Sequence, residues 1–133
     1  MESFPVPVTA VIAALNALIL MALALAIPFK RMKTRTNLGT GESDELQRAV
    51  RAHGNATEYV PIALILILIL ELFAAPAALL WILGGVLTLS RLSHPYALYM
   101  RTGPGFFRGF GMLGSVGVIV VAALTCLYYA VGA

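Results

Sequence analysis

The sequence begins with an uncharged, mostly apolar stretch that is too long for an ordinary helix of a small soluble domain. Residues 6–29 contain no Asp, Glu, Lys or Arg. A helix of roughly 20 apolar residues crosses a hydrocarbon layer about 30 Å thick, so this segment predicts a transmembrane helix. Only 11% of the 133 residues are charged and 60% are hydrophobic, whereas soluble domains are about 25% charged. The chain is therefore expected to be an integral membrane protein.

Polar breaks divide the rest of the chain into three further apolar segments. Ser43 is a predicted helix N-cap with Asp44 and Glu45 in the first turn behind it. Glu71 and Pro76 mark the next break. The prediction is an all-α bundle of four transmembrane helices in a single domain, residues 1–133, with helices at about 6–29, 43–73, 77–100 and 106–130 and a basic loop at 30–42.

An alternative joins residues 60–89 into one overlong span, which gives three crossings and places the termini on opposite sides.

With four crossings, the basic residues all fall on one side of the membrane, which the positive-inside rule makes cytoplasmic. Both termini would then face outward, into the periplasm if the protein belongs to a bacterial inner membrane. This arrangement explains the net charge of +3 without nucleic acid as a partner. The basic residues are Lys30, Arg31, Lys33, Arg35, Arg48, Arg51, Arg91, Arg101 and Arg108.

A polar stripe on the second helix needs partners. Arg51, Asn55 and Glu58 are four and three residues apart, so they project from nearly one face of a helix. An ionisable side chain in the bilayer costs on the order of 2.5 to 3.5 kcal/mol. The stripe therefore faces either other helices, as ion pairs that fix the packing, or a ligand, and periodicity alone leaves both open.

The stripe lies in a segment that resembles a known signature. Residues 51–61, Arg-Ala-His-Gly-Asn-Ala-Thr-Glu-Tyr-Val-Pro, closely resemble the second helix of the MAPEG family, the membrane-associated proteins in eicosanoid and glutathione metabolism. The basic first loop, the Arg91-Leu92-Ser93-His94 sequence and the arginine that opens the fourth helix extend the resemblance over the whole chain. The chain looks like a small bacterial member related to the microsomal glutathione transferases.

The resemblance implies a homotrimer that holds glutathione as co-substrate between subunits, without a metal, and activates its thiol. The implied activity is a glutathione transferase or peroxidase that detoxifies lipophilic electrophiles or hydroperoxides, and the implied partners besides glutathione are a lipophilic small molecule or lipid and the membrane lipids. Arg108 is the implied catalytic residue, because a guanidinium at a helix N-terminus favours a thiolate. The implied glutathione-binding residues are Arg51, Asn55, Glu58, Tyr59, Arg91, His94 and Tyr99, with Arg31 reaching from the adjacent protomer.

Two departures and two rival functions qualify this expectation. Gly54 stands where some eicosanoid-forming members carry a second arginine, and the interval from Arg91 to Arg108 is longer than theirs, so general conjugation or peroxide reduction is expected instead. A small proton-coupled multidrug transporter with Glu58 as its acid is one rival. The other is a MAPEG relative that binds without turnover. No usable metal-ligand spacing is found, since His53 and His94 are far apart in the sequence.

Overall fold

A computed structural model describes residues 6–100 and 105–132 and contains four helices in these ranges. They are α1 (Pro7–Thr34), α2 (Asp44–Leu72), α3 (Ala77–Tyr99) and α4 (Phe106–Gly132). Each is long and apolar enough to cross a membrane. The all-α prediction with four crossings is confirmed. The three-crossing alternative is wrong, because the helix stops at Leu72 and the chain passes through Ala74 with a φ of 56° before α3 begins.

The first helix extends beyond the predicted end at residue 29. It continues to Thr34, and Arg35 ends it with a left-handed φ of 53°. Lys30 and Lys33, expected in a loop, are therefore helical, and both Nζ atoms bind the carboxylate of Glu45 on α2. Their charge keeps these residues out of lipid, but it does not prevent them from being helical. The helix therefore continues past its apolar segment, and the negative end of the helix dipole stabilises the basic side chains of its last turn.

The start of α2 follows the predicted cap. The Ser43 side chain accepts a hydrogen bond from the backbone N–H of Leu46 at 3.2 Å, and Asp44 and Glu45 occupy the first turn. The cap gives a free N–H group of the first turn a hydrogen-bond acceptor, and the acidic side chains interact favourably with the positive end of the helix. This fixes the residue at which α2 begins.

Consecutive helices run antiparallel, and α2 and α3 lie in the centre. In the described residues, α1 contacts α2 and α3, α4 contacts the same two helices, and α1 and α4 do not touch. We call the end where α1 and α3 finish and α2 and α4 begin the basic end. Buried Ile67, Leu83 and Leu87 belong to an apolar core in the rest of the bundle. Leu18, Leu113 and Leu124 are exposed, as expected for side chains that face lipid.

Glu71 ties the two helix ends opposite the basic end together. Its carboxylate accepts hydrogen bonds from the backbone N–H groups of Val8 at 2.9 Å and Thr9 at 2.7 Å. The residue before α1, Val6, provides no side-chain cap. Glu71 therefore serves as the cap of α1 from a distance of more than sixty residues in sequence, a role beyond that of a turn marker.

Candidate functional site

A polar cavity of about 550 Å³ opens between α2, α3 and α4 at the basic end. Most of its wall comes from α2, while α3 and α4 contribute the apolar side chains of Ala97, Leu98 and Met112. Its size falls within the range of about 300 to 1,000 Å³ that is typical of small-molecule sites. The lining residues are Asp44, Gln47, Arg48, Arg51, Asn55, Glu58 and Tyr59 of α2, His94, Ala97 and Leu98 of α3, and Arg108 and Met112 of α4.

The wall from α2 follows helical periodicity. Asp44, Arg48, Arg51, Asn55 and Glu58 line the cavity at alternating intervals of four and three residues, which keeps side chains on one face of a helix. Alanines at positions 49, 52 and 56 are buried on an adjacent face of α2, where they let the helix approach its neighbours. The predicted polar stripe thus faces a cavity instead of a tightly packed helix contact.

Arg91 lies behind this wall and connects three helices. It is 1% exposed, and its guanidinium donates to Asn55 Oδ1 at 2.7 Å and to the Asn55 carbonyl at 3.3 Å. It also donates to the Gly111 carbonyl and the Ser115 hydroxyl of α4. The Tyr59 ring lies 5.8 Å from the guanidinium carbon. Because Arg91 binds the amide oxygen of Asn55, the amide nitrogen remains as a donor for the cavity.

The α3–α4 crossing positions His94 and Arg108. A Cβ added to Gly111 would lie 2.8 Å from the His94 backbone nitrogen, so only glycine permits this approach. His94 is buried and interacts with the Arg108 backbone, and its Nδ1 atom has no hydrogen-bond partner among the described residues. Arg108, in the first turn of α4, is exposed to the cavity. The positive helix end and the guanidinium therefore reinforce each other here.

The cavity carries an excess of positive charge. Three lining arginines face two lining carboxylates, Asp44 and Glu58. In the described part of the chain, the ion pairs within 4 Å involve Glu45 and no cavity residue. Arg91, one layer behind, adds another cation whose hydrogen bonds go to neutral acceptors. The arrangement favours an anionic ligand that also carries one cationic group.

The structure brings six of the nine predicted site residues together around the cavity. Three predicted residues lie elsewhere. Arg91 is behind the wall, Tyr99 packs against the buried Leu23, Ala52 and Ala56 with Lys30 over its ring, and Arg31 lines a separate cleft at the end of α1. The six that line the cavity are Arg51, Asn55, Glu58, Tyr59, His94 and Arg108.

Six lining residues were not among the predicted site residues: Asp44, Gln47, Arg48, Ala97, Leu98 and Met112. The sequence identifies Arg48 only as one of the basic residues on one side of the membrane, and Asp44 only as a residue of the first helical turn, although both continue the periodicity of the stripe toward the start of α2. That periodicity was the available signal. Leu98 and Met112 carried no signal, because apolar side chains in an apolar segment do not reveal which of them border a cavity.

Comparisons with known proteins agree with this architecture. The MAPEG family model matches residues 9–128. The inner membrane protein YecN of Escherichia coli K12 is 38% identical over 122 residues, which cover 92% of each chain, and YecN of Escherichia coli O6:H1 matches equally. No solved structure matches significantly. The match spans all four helices and the cavity, so this integral, multi-pass membrane protein belongs to the MAPEG family.

Proposed function

We propose that the protein is a glutathione transferase that binds glutathione in the cavity at the basic end and stabilises its thiolate beside Arg108. The observation that carries the proposal is the convergence of Arg51, Asn55, Glu58, Tyr59, His94 and Arg108 on one cavity. The six residues come from three helices. The spacing of the four residues on α2 resembles the family pattern, but it does not account for the positions of His94 on α3 and Arg108 on α4.

The charges of glutathione complement those of the cavity. The tripeptide carries two carboxylates and one ammonium group, and its thiolate form has a net charge of minus two. The three lining arginines and two lining carboxylates leave one positive charge, and Arg91 behind them raises it to two. Arginines bind carboxylates in bidentate fashion, while Glu58 or Asp44 suits the ammonium group. The Asn55 amide nitrogen and His94 add neutral polar contacts.

Arg108 is proposed to lower the proton affinity of the bound thiol. A guanidinium in the first turn of a helix places two sources of positive potential at one point, and both favour the thiolate. The thiol proton leaves to solvent through the open mouth of the cavity. The sulfur lone pair then forms a bond to an electrophilic carbon, whose leaving group departs with the electrons of the broken bond.

The second substrate is proposed to be lipophilic and to arrive from the membrane. The walls from α3 and α4 include the apolar side chains of Ala97, Leu98 and Met112, which offer no polar partner to a second ligand. Hydroperoxides are the other substrate class in this proposal, with two glutathione molecules oxidised to the disulfide as the peroxide is reduced to an alcohol and water.

We further propose a homotrimer with its basic end in the cytoplasm. Arg51, Glu58 and Arg108 are exposed in the single chain, which leaves the cavity open for a neighbouring subunit to close. Arg31 would reach glutathione only from such a neighbour, because it does not line the cavity of its own chain. The one-sided basic residues support the orientation, and the YecN relatives are named as inner membrane proteins.

The proposal is tested with purified protein, glutathione and an ultraviolet difference spectrum that reports thiolate. The wild-type protein is expected to produce a thiolate band and to conjugate a model electrophile. Arg108→Ala should lose most of both signals, since positioned charge is worth roughly 10² to 10³ in rate in comparable sites. Native mass spectrometry of the same sample checks the trimer.

The matched control is Lys33→Ala, which removes one positive charge from the basic end outside the cavity and should leave both signals unchanged. A thiolate band without conjugation or peroxide reduction would favour the relative that binds without turnover. Wild-type protein that forms no thiolate would overturn the proposal, and gradient-driven efflux from vesicles that requires Glu58 would favour the transporter.

A further inference from the structure

His94 is a buried side chain of the cavity whose hydrogen bonds the described part of the protein leaves incomplete. It is 8% exposed, it lines the cavity, and its Nδ1 atom has no hydrogen-bond partner among the described residues. Most buried side-chain nitrogen atoms in native proteins are paired, so an unpaired one requires an explanation, of which a catalytic role is one. An imidazole with a free ring nitrogen is able to exchange a proton with a ligand in the cavity.

The packing of α3 against α4 brings this imidazole to the first turn of α4. The His94 side chain interacts with the backbone of Arg108. One turn further along α4, the two helices meet so closely that a Cβ added to Gly111 would lie 2.6 Å from the His94 Cβ. In the proposed glutathione complex the thiol lies beside Arg108, so His94 borders the part of the cavity where the thiol proton is released.

The chemistry of the other lining side chains makes them less suited to exchange this proton. The guanidinium groups of the lining arginines stay protonated. Carboxyl and phenol groups ordinarily change charge at about pH 4 and about pH 10, whereas an imidazole does so between about pH 5 and 8. Efficient proton transfer requires a group that changes charge near the working pH, and among the described lining residues His94 carries the imidazole.

The charges that face His94 come from all three helices of the cavity. Four arginines face two carboxylates there, and three of the arginines interact with the imidazole itself. Glutathione brings two further carboxylates and one ammonium group, which move the loaded site closer to charge balance. A proton can then reach the imidazole without adding to a large uncompensated positive charge. The charged groups are Asp44, Arg48, Arg51 and Glu58 of α2, Arg91 of α3 and Arg108 of α4.

We propose that His94 transfers the proton in the glutathione reaction, with its imidazole accepting the thiol proton as the thiolate forms beside Arg108. The inference rests on the proposed glutathione transferase function and deepens it. Arg108 stabilises the thiolate and so determines how much of it is present at equilibrium. His94 determines how fast the proton moves and where it goes.

In hydroperoxide reduction the proton on His94 ends on the product. The thiolate sulfur forms a bond to the terminal peroxide oxygen, the O–O bond breaks, and its electron pair goes to the departing alkoxide. The His94 imidazolium gives its proton to the alkoxide, which leaves as an alcohol. The sulfenic acid of glutathione then reacts with a second glutathione, forming the disulfide and one water molecule. In conjugation with a halide as leaving group, His94 passes the proton to solvent instead.

The test is stopped-flow mixing of the purified protein with glutathione, followed by the thiolate band, in wild-type protein and His94→Gln. Glutamine keeps a polar side chain but cannot carry a proton. At saturating glutathione, His94→Gln should reach the wild-type amplitude because Arg108 is unchanged, but about 100-fold more slowly. The wild-type rate should follow a single ionisation between about pH 5 and 8, and this dependence should be absent in the variant.

Turnover with two substrates separates proton transfer from a structural effect. With cumene hydroperoxide, His94→Gln should lose about 100-fold in kcat. With a chlorinated nitrobenzene added to the preformed thiolate, the loss should be much smaller, because chloride leaves without a proton. His53→Gln is the matched control, since it removes the other of the two histidines from a position outside the lining of the cavity, and it should behave as wild type.

Wild-type protein that forms no thiolate would overturn both proposals. A normal thiolate band in His94→Gln at the wild-type rate would overturn the role of His94 alone, as would equal losses with the two substrates. If His94→Gln does not fold, the pH profile of His53→Gln decides the matter, because His94 is then the remaining histidine of the chain. A rate of thiolate formation without an ionisation in that pH range would exclude His94 as the proton acceptor.

Discussion

The close approach of α3 and α4 at Gly111 gives the most direct test of how packing positions the site. A Cβ at this position would lie 2.6 Å from His94 Cβ and 2.8 Å from both Cα and N of His94. Ordinary contact begins near 3.4 Å, so Gly111→Ala requires the helices to separate by about 0.8 Å. Two of the three obstructing atoms are backbone atoms, so a change of side-chain rotamer cannot relieve the clash.

The free-energy change follows from two opposing effects. Overpacking a fitted contact costs about 1 to 3 kcal/mol, and the obstructing backbone atoms favour the upper end of that range. Replacing a helical glycine by alanine returns about 0.5 to 1 kcal/mol. We therefore expect Gly111→Ala to lower the free energy of unfolding by about 2 kcal/mol. The separation would also weaken the bonds from Arg91 to the Gly111 carbonyl and Ser115.

Gly117 provides the matched control on the same helix. In the described residues, no atom from outside the local helix backbone lies within 4 Å of a Cβ added there, so Gly117→Ala should stabilise the protein by about 0.5 to 1 kcal/mol. Both variants can be measured by unfolding in mixed detergent micelles, with the single tryptophan, Trp81, as the fluorescent probe. If Gly111→Ala is as stable as Gly117→Ala, the helices do not meet as described and the reasoning fails.

Two further substitutions test polar contacts at the two ends of the bundle. Glu71→Ala removes the acceptor for the first N–H groups of α1 and should lower the free energy of unfolding by about 0.5 to 2 kcal/mol, with faster amide hydrogen exchange at Val8 and Thr9. Unchanged exchange there would exclude the capping role. Glu58→Gln should weaken glutathione binding, as measured by calorimetry. The thiolate band should persist at saturating glutathione, because Arg108 is unchanged. Loss of the band at saturation would assign Glu58 a different role.

The number and order of the helices could be predicted because the bilayer permits few solutions. A membrane crossing must be long and apolar, and the breaks contain charge, glycine or proline that lipid excludes. The Ser43 cap is equally local, since the hydroxyl oxygen and the backbone N–H that donates to it lie three residues apart. The end of α1 was less predictable, because leaving the lipid and ending the helix are separate events, and Glu45 of the next helix stabilises the extra turn.

The role of Glu71 depended on a contact between the two ends of distant helices. The sequence did contain a signal for it. The first helix begins at Pro7 after Val6, which has no side chain able to cap it, so its free N–H groups require an acceptor from elsewhere. Glu71 is a carboxylate at the end of another apolar segment, and four antiparallel crossings bring it to the same side of the membrane.

The site could be predicted only in part, because it too depends on contacts between different helices. Periodicity identifies the face of α2 that holds Arg51, Asn55 and Glu58, but it cannot tell whether a residue on α3 reaches that face or stops behind it. Arg91 and His94 are three residues apart and share a helix face, yet His94 lines the cavity and Arg91 does not. The difference arises from the acceptors on α2 and α4 that surround Arg91, which only the assembled bundle reveals.

Arg91 connects the packing of the bundle to the chemistry of the cavity. A buried charge without a carboxylate partner is costly, and it is tolerated when several oriented dipoles surround it. Here those dipoles are Asn55, Ser115 and the Gly111 carbonyl, which also fix the wall of the cavity. Because none of them neutralises the charge, its field extends into the cavity and adds to that of Arg108. The same side chain therefore holds three helices together and favours an anion at the place where they meet.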